Sequence, residues 1–460
     1  MIGPRPASAA PVEEAEAFLS AHPEIQAVDI VLTDLNGIGR GKIIRRRELL
    51  GVYRDGRHLP GSILGLDITG KDIDATGLVW ADGDADRKAW PVPGTLVPMP
   101  WTDPPRAQVL LSLHELDGSP MPVDPRRALA RQVEEFARSG LTPVMAFELE
   151  FYLLDRDLDP EGRPQPGRLP LTGLRPATHQ VYRLDELDGL EPLARAVYGA
   201  AEAQGLPLET MISEYAPGQY ELTLHHRADP LRAADDLVML KRLLRGVASR
   251  HGLRACFMAK PFADLAGSGM HLHTSLADRE GRNLFADTRP GTLDPRLRHA
   301  IAGLLERMSE SMLVFAPHLN SWRRFAAHSY APVTPNWGLN NRSVAVRVPA
   351  GDSASRRLEH RVAGVDANPY LCAAVVLAGM RAGLAAGHEP PAEVTAYPEP
   401  TDELSPDWRS AIMAAAGSDF LRDALGRRLW EVFLAVKRDE YARFAQRITA
   451  EEYACYLDTV

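Results

Sequence analysis

The sequence predicts an α+β protein with a small N-terminal domain and a larger second domain. The chain has 460 residues, which is more than one hydrophobic core usually serves. Strand-like alternation prevails before a Pro- and Gly-rich stretch over 91–105, and helices alternate with short strands after it. We place the boundary near Gly118, so that residues 1–118 form the first domain and residues 119–460 the second.

The first domain opens with a predicted hairpin. Val28, Ile30 and Leu32 alternate with polar neighbours, and Asn36-Gly37 offers a tight turn before a basic run. A second strand is expected over 107–113. Together these stretches predict a small sheet.

The second domain begins with a helix that Asp124-Pro125 starts. An amphipathic helix is expected over 231–250, and the almost wholly apolar stretch 370–386 predicts a buried helix. Loops rich in proline and charge are expected at the surface over 155–170 and 387–406, the second of them before a helical tail.

Composition excludes several classes of function. Apolar residues make up 45% and charged residues 25%, as in ordinary soluble enzymes, and the net charge is −9 with dispersed basic residues, so we expect no nucleic-acid partner. The N-terminus lacks a signal-peptide pattern and no long uninterrupted apolar run occurs, so we expect a cytoplasmic protein without a membrane partner. The three cysteines are too scattered for a disulfide framework or a metal site.

Glu148 and Glu150 share one face of a predicted strand whose other face is apolar. Two like charges on one face repel each other, which favours a divalent cation between them. The alternative is an edge strand with a solvated acidic face. Glu214 and Glu221 flank a Pro-Gly turn that can bring both to one ion, although an ordinary loop with surface glutamates also fits.

His271 and His273 follow a glycine-rich loop and share a strand face, which adds nitrogen ligands of the kind that Mn²⁺ or Zn²⁺ accepts more readily than Mg²⁺. Satisfied structural histidines are the alternative. Arginine is frequent over 320–361, and Arg357, Glu359 and Arg361 share one strand face. Guanidinium groups match carboxylate and phosphate geometry, whereas a solvated basic strand is the plainer interpretation.

Known nucleotide loops and nucleophile motifs are missing from the sequence. It has no GxxxxGK[ST] loop, no GxGxxG after a strand and no GxSxG elbow. We therefore expect metal-assisted chemistry, and any ATP would have to bind without a Walker loop or a Rossmann loop.

Taken in order, the motifs resemble those of the glutamine synthetase superfamily along nearly the whole chain. The resemblance is carried by Phe-Glu-Leu-Glu (147–150), Glu-Tyr-Ala-Pro-Gly-Gln-Tyr-Glu (214–221), Gly-Ser-Gly-Met-His-Leu-His (267–273), Asn-Ser-Trp-Arg-Arg (320–324), Asn-Arg-Ser (341–343), Arg-Leu-Glu-His-Arg (357–361) and Asn-Pro-Tyr-Leu (368–371). It implies a small N-terminal β-grasp domain and a large glutamine-synthetase-type catalytic domain, whose antiparallel sheet forms a funnel with ATP at one end and glutamate at the other.

The resemblance also implies a role for each site residue. Two Mg²⁺ or Mn²⁺ ions are expected, one held by Glu150, Glu214 and Glu221 and the other by Glu148, His271 and Glu359. The nucleotide phosphates are expected beside His273, Arg347 and Arg357, and glutamate beside Gly267, Arg324 and Arg361. Arg324 and Arg342 would act on a γ-glutamyl phosphate made with ATP. The expected assembly is a homo-dodecamer with active sites shared between subunits.

The chain departs from true glutamine synthetases at the ammonium site. Two acids of that family align here with Pro60 and Tyr330, the first less securely because Asp67 lies nearby. The segment around Tyr330 is closer to γ-glutamylpolyamine and other γ-glutamyl-amine synthetases. The sequence therefore predicts a ligase for glutamate and an organic amine, either a polyamine or a small monoamine. The alternatives are glutamine synthesis from ammonia and a catalytically silent structural or regulatory homologue.

Overall fold

A computed structural model describes residues 5–81, 83–289, 291–326, 329–398 and 404–460. Its strands are β1 (Ala27–Thr33), β2 (Gly39–Arg45), β3 (Arg57–Pro60), β4 (Asp86–Pro91), β5 (Val97–Met99), β6 (Arg106–His114), β7 (Thr142–Asp155), β8 (Leu208–Ser213), β9 (Gln219–Leu224), β10 (Leu253–Cys256), β11 (Met270–Ala277), β12 (Trp337–Leu339), β13 (Val346–Val348) and β14 (Leu358–His360).

The helices lie mostly in the second half of the chain. They are α1 (Val12–Ala21), α2 (Leu49–Asp55), α3 (Pro125–Arg138), α4 (Leu184–Gly189), α5 (Glu191–Ala203), α6 (Pro230–Arg250), α7 (Pro295–Glu306), α8 (Met308–Phe315), α9 (Pro369–Ala386), α10 (Trp408–Ala416), α11 (Asp419–Leu425), α12 (Arg427–Ala445) and α13 (Ala450–Tyr456).

The predicted hairpin near the N-terminus is confirmed. Strands β1 and β2 pair antiparallel from Ala27 opposite Arg45 to Thr33 opposite Gly39. The turn between them needs a left-handed residue, since Gly37 has φ of 75°, a conformation that costs glycine little. The Asp34 carboxylate accepts the backbone N–H groups of Asn36 and Ile38, at 2.9 Å each, and so fixes the turn.

A mixed sheet forms the N-terminal part, in the order β2-β1-β6-β4-β3 with β5 also on β6. The first half of β6 runs parallel to β1 and its second half antiparallel to β4. The β-grasp assignment and the boundary near Gly118 stay predictions. Gly118 itself lies in the turn after β6, with φ of 93°.

A second, larger sheet follows, in the order β12-β13-β14-β11-β7-β9-β8 with β10 also on β7. All of its pairings are antiparallel except that of β12 with β13. The long strand β7 lies at its centre, and its odd-numbered side chains from Met145 to Phe151 are buried. The even-numbered side chains of β7, which include Glu148 and Glu150, therefore face the opposite side of the sheet.

Helices α6 and α9 form the core behind this sheet. The Asp229 carboxylate caps α6 by accepting the N–H groups of Leu231 and Arg232. Buried residues surround α6 more fully than the predicted amphipathic pattern implied, because it packs against both β7 and α9. Its buried Asp235 is satisfied by Arg126 at 2.9 Å and by the Tyr370 hydroxyl at 2.7 Å.

The stretch expected to form a buried helix is α9. By length and composition it is apolar enough to cross a membrane, yet it is 72% buried in the fold, as the core helix of a soluble protein is. Most of the loop after it is exposed over 387–398, as expected, and the rest of that stretch is half-buried. Residues 399–403 lie outside the described part of the chain, and Leu404, also expected at the surface, is buried. A helical tail, α10 to α13, follows as predicted.

Candidate functional site

Four neighbouring strands, β9, β7, β11 and β14, bring the predicted acids and histidines onto one face. The pairs directly opposite each other are Glu150 with Glu221, Glu148 with His271, and Glu359 with His273. Directly opposite residues on one sheet face have Cβ atoms about 5 Å apart, so their polar ends can meet. Residues far apart in sequence thus form one cluster because of strand register alone.

Glu148 lies at the centre of this cluster. One of its oxygens is 3.0 Å from His271 Nδ1 and the other is 2.7 Å from His273 Nε2. Burial alone would raise the pKa of the Glu148 carboxyl, but the two imidazoles outweigh it and hold that pKa well below its usual range. Glu148 is therefore ionised at neutral pH.

Glu359 is fully buried and faces two guanidinium groups. Arg347 Nη1 donates to it over 2.8 Å, and Arg361 donates to its other oxygen. Burial alone would raise the pKa of Glu359, but Arg361 and the imidazoles of His273 and His271 outweigh it and lower that pKa. Glu359 also belongs to the cluster, since its carboxylate lies 3.6 Å from His271 Nδ1. With its pKa lowered, it is negatively charged at neutral pH.

On the other side of Glu148, carboxylates accumulate without enough cations. Burial and the neighbouring carboxylates raise the pKa of Glu221, and burial followed by the charge of Glu150 raises that of Glu214 to about 7. Glu150 is held in place by the Gly269 N–H, which donates to it over 2.5 Å. Such unbalanced negative charge, presented by oxygen ligands, fits divalent cations.

Two groups of side chains are close enough to hold a metal ion. The ligand atoms of Glu148, Glu221 and His271 lie within 4.8 Å of one another, and so do those of Glu148, His273 and Glu359. The predicted sets group these residues differently, and His273 was expected beside phosphate rather than beside Glu148. Their division between two ions stays a prediction.

A cavity opens on each side of the cluster. The first, of about 510 Å³, is bordered by Glu148, His273 and Arg357. The second, of about 590 Å³, is bordered by Glu150, Glu214, Arg324, Tyr330 and Arg361. Both cavities thus reach the same charged centre, while the two-ended funnel stays a prediction.

Arg324 and Gly267 shape the inner wall of the second cavity. Arg324 is buried, and it donates to the carbonyl oxygens of Val362 at 2.7 Å and Arg361 at 3.1 Å. A Cβ on Gly267 would lie 2.7 Å from Arg324 Cγ and 2.8 Å from the Ala259 carbonyl oxygen, so a larger residue cannot fit without displacing this wall. Both residues border the second cavity, and their predicted role toward glutamate stays a prediction.

The other predicted arginines differ in their contacts: Arg347 and Arg357 are hydrogen-bonded near the cluster, whereas Arg342 is exposed. The second guanidinium nitrogen of Arg347 donates to Asn340 at 2.9 Å, and Arg357 Nε lies 3.1 Å from His273 Nδ1. Arg342 is exposed and, within the described part of the chain, borders neither cavity. Its charge nevertheless favours the ionised form of Glu214.

The three residues of the predicted amine site lie in different places. Tyr330 borders the second cavity and is 69% exposed. Pro60 ends β3 in the N-terminal sheet and, among the described residues, borders neither cavity of its own chain. Asp67 is buried and occupied, since it accepts the N–H groups of Thr69 and Lys71 and pairs with Arg443.

Several residues of the second cavity were given no role from the sequence. Gln219 donates to the Gly267 carbonyl oxygen at 3.0 Å and so supports the glycine loop. It stands inside the motif between Glu214 and Glu221, a signal that could have revealed it. Tyr215 stands in the same motif and also borders the cavity, as do His179 and Asp264, whose local sequence gives no such signal.

An antiparallel sheet that carries a cluster of acids and histidines between two cavities is the arrangement of a metal-dependent ligase of glutamine synthetase type. Residues 122–456 match the model of the glutamine synthetase catalytic domain. The chain belongs to the glutamine synthetase family, as its motifs predicted.

Similar proteins include enzymes named for organic amines. The chain is 39% identical to the γ-glutamylputrescine synthetase of Escherichia coli (strain K12), over 96% of this chain and 93% of that protein. It is 34% identical to the γ-glutamylethanolamide synthetase of Streptomyces coelicolor, over 80% and 78% of the two chains. A solved structure of GmaS without ligand matches with a TM-score of 0.82 and 28% identity, covering 96% of this chain and 99% of that one.

Proposed function

We propose that this protein joins the γ-carboxylate of glutamate to an organic amine at the expense of ATP. The observation that carries the proposal is the charged cluster between two cavities, one of which meets arginines suited to a carboxylate. Relatives named for putrescine, ethanolamide and isopropylamine support an amine as the second substrate. Glutamine synthesis from ammonia is the alternative, since relatives named glutamine synthetase are 30–31% identical over 94% of this chain.

The reaction needs an activated carboxylate, because oxide is a poor leaving group. Transfer of the γ-phosphoryl group of ATP to a γ-carboxylate oxygen gives γ-glutamyl phosphate and ADP. The amine nitrogen then attacks the acyl carbon, the C–O bond to phosphate breaks, and the nitrogen loses a proton. The products are the γ-glutamyl amide and inorganic phosphate.

The side chains of the cluster suit this chemistry. Glu150, Glu214 and Glu221 are proposed to hold one Mg²⁺ or Mn²⁺ ion, and Glu148, His271 and Glu359 a second. Bound ions of this kind would neutralise the charge of the phosphoryl oxygens.

The arginines and the glycine loop are proposed to handle the substrates. Arg324 and Arg361 would bind glutamate against the wall that Gly267 keeps open. His273, Arg347 and Arg357 would face the nucleotide phosphates. Arg342 is exposed and free among the described residues, so it can turn toward the acyl phosphate as a charge-stabilising donor.

An organic amine is favoured over ammonia because Tyr330 lines the second cavity where an acid is expected in glutamine synthetases. A neutral aromatic ring neither binds NH₄⁺ as strongly as a carboxylate does nor takes its proton. The ring instead offers contact area and a cation–π face to an alkylammonium.

We further propose a cytoplasmic homo-dodecamer with a β-grasp domain over 1–118 and a catalytic domain over 119–460. The N-terminal sheet offers support, since β2 is a largely exposed edge strand that a neighbouring subunit can cover. Light scattering of the purified protein tests the assembly.

The test of the proposed function is release of ADP with glutamate and a panel of amines. We expect turnover with at least one organic amine to exceed that with ammonia in kcat/KM, a dependence on Mg²⁺ or Mn²⁺, and loss of turnover in Glu359→Ala. Ammonia used as well as the best amine would instead make the protein a glutamine synthetase. No ADP release with any amine or ammonia would favour a catalytically silent homologue.

A further inference from the structure

The outer wall of the second cavity carries groups that the reaction itself does not use. Beyond the acids and arginines at its base, the wall includes His179, Tyr215 and Asp264. Arg324 and Arg361 lie deep, each 5% exposed, whereas these three residues stand nearer to solvent. They are therefore available to a part of a ligand that lies toward the mouth of the cavity.

His179 and Tyr215 form an aromatic pair. Their rings stack with centroids 4.6 Å apart and planes 27° apart, and His179 Nδ1 lies 3.2 Å from the Tyr215 carbonyl oxygen. Tyr215 follows Glu214 directly, and its N–H donates to that carboxylate over 3.1 Å. The aromatic pair therefore adjoins Glu214, at the edge of the acid cluster. Tyr215 is 50% exposed, so a ligand can contact its ring.

Asp264 adds a negative charge without a partner. Among the described residues it is exposed and makes no hydrogen bond or ion pair. Lys260 borders the same cavity, and the charge of Asp264 favours its protonated form, but its ammonium donates to the Leu265 carbonyl oxygen. An exposed carboxylate attracts an alkylammonium group by its charge, and aromatic rings that border the same cavity offer it a cation–π face.

The amine that reacts must lose its charge to become an amide, so a monoamine brings no cation to this wall. A diamine does, because its second nitrogen stays protonated. We propose that Asp264 and the His179–Tyr215 pair form a subsite for the second ammonium of an aliphatic diamine whose first amine is acylated. This inference rests on the proposed function and assigns the residues that choose among amines.

Three four-carbon amines that differ only in the far end test the subsite: 1,4-diaminobutane, butylamine and 4-aminobutyrate, whose tails are positive, neutral and negative. For the unaltered enzyme we expect kcat/KM to fall in that order. In Asp264→Asn, kcat/KM for the diamine should fall about five- to tenfold through KM, as the loss of one charge-assisted contact predicts. The value for butylamine should change less than about twofold.

Control variants separate the subsite from general damage. Asp157→Asn removes an exposed carboxylate outside both cavities and should leave all three values unchanged. Tyr215→Phe should keep the preference for the diamine, because the ring face remains, whereas Tyr215→Leu should weaken it.

The outcomes distinguish this inference from the proposed function. If the enzyme makes γ-glutamyl amides but uses butylamine as well as the diamine, or if Asp264→Asn lowers both equally, the subsite is wrong and the proposed function stands. A preference for 4-aminobutyrate would assign the wall to Lys260 and also overturn the subsite. If only ammonia is used, the proposed function itself fails.

Discussion

Glu221 is a buried carboxyl group whose ionised form the metal-free protein disfavours. Burial and four neighbouring carboxylates raise its pKa above the ordinary value of 4.5. A raised carboxyl pKa costs no stability below that ordinary value, and the cost grows as the pH rises from that value to the folded-state pKa, above which it stays constant. At pH 8 without metal, Glu221 therefore destabilises the fold.

We predict that Glu221→Gln raises the melting temperature of the metal-free protein at pH 8 by about 2 °C or more, because a neutral amide avoids the free-energy cost of the raised carboxyl pKa. The same variant should lose most of the rise in melting temperature that Mn²⁺ gives the unaltered protein, because a ligand is gone. Thermal unfolding with EDTA and with Mn²⁺ measures both effects. The exposed Glu202→Gln is the control, and it should reproduce the unaltered protein in both solutions.

At the scale of single residues, the sequence predicted which side chains carry the chemistry better than it predicted which side chains contact one another. Alternation placed Glu148 and Glu150 on the polar face of a strand, and the structure confirms that placement. The partners of Glu148 could not be deduced from residues alone, since a one-residue change in the register of β11 would put His271 on the opposite face. Asp264 was missed because nothing around it differs from an ordinary surface loop.

At the scale of elements, the loop before β11 depends on the absence of a side chain. Gly267 touches the wall formed by Arg324 and Ala259, while Gln219 holds its carbonyl oxygen. A methyl group at this position must push Arg324 or the backbone away.

We predict that Gly267→Ala raises KM for glutamate about tenfold or more, because a wall displacement of this kind misplaces a substrate-binding group. Steady-state kinetics at saturating ATP and amine measures the change. Gly199→Ala, in α5, is the matched control because a Cβ there meets nothing within 4 Å. That variant should keep KM and gain slightly in stability from helix propensity. An unchanged KM in Gly267→Ala would remove the loop from the glutamate site.

Elements with strong local signals were predictable. The Asn-Gly turn, the proline after the cap of α3 and the apolar run of α9 each fix their element within a few residues. Helix α6 was found, but its burial was underestimated because its charged residues are satisfied by distant partners such as Arg126. The alternation of Arg357, Glu359 and Arg361 indicated β14. Strands β12 and β13, of three residues each, are too short for a detectable period and form only through the pairing of β12 with β13 and of β13 with β14.

At the scale of the whole molecule, one buried ion pair ties the two ends of the chain together. Lys437 on α12 is fully buried and donates to Asn36 in the hairpin turn at 2.6 Å and to Glu440 at 2.9 Å. The other Glu440 oxygen accepts the Ile68 N–H at 2.7 Å. The N-terminal part is thus joined to a C-terminal helix by two buried, oppositely charged groups, each of which offsets the burial cost of the other.

We predict that Lys437→Met destabilises the protein by about 3–5 kcal/mol, because it leaves Glu440 buried without its cation. Adding Glu440→Gln should recover part of this loss. Denaturant unfolding of both variants measures the difference, with Arg438→Met as a control on the exposed face of the same helix. Equal stability of Lys437→Met and the control would show that the pair does not hold the two parts together.

The architecture of the whole chain was predictable through family motifs rather than through physics. Residue patterns gave two regions and a mixture of strands and helices, whereas the order of strands in each sheet depends on long-range pairing that no local pattern contains. The contact between Asn36 and Lys437 is an example, since 401 positions separate them.

The opposite pairs on β9, β7, β11 and β14 also make the enzyme a reporter on its own folding. A misfolded molecule with a one-residue register shift in one of these strands would still be compact and helical. Its acids and imidazoles, however, would point to opposite sides of the sheet. Catalytic turnover per mole of refolded protein therefore counts molecules whose strands have aligned correctly, a quantity that circular dichroism alone does not distinguish.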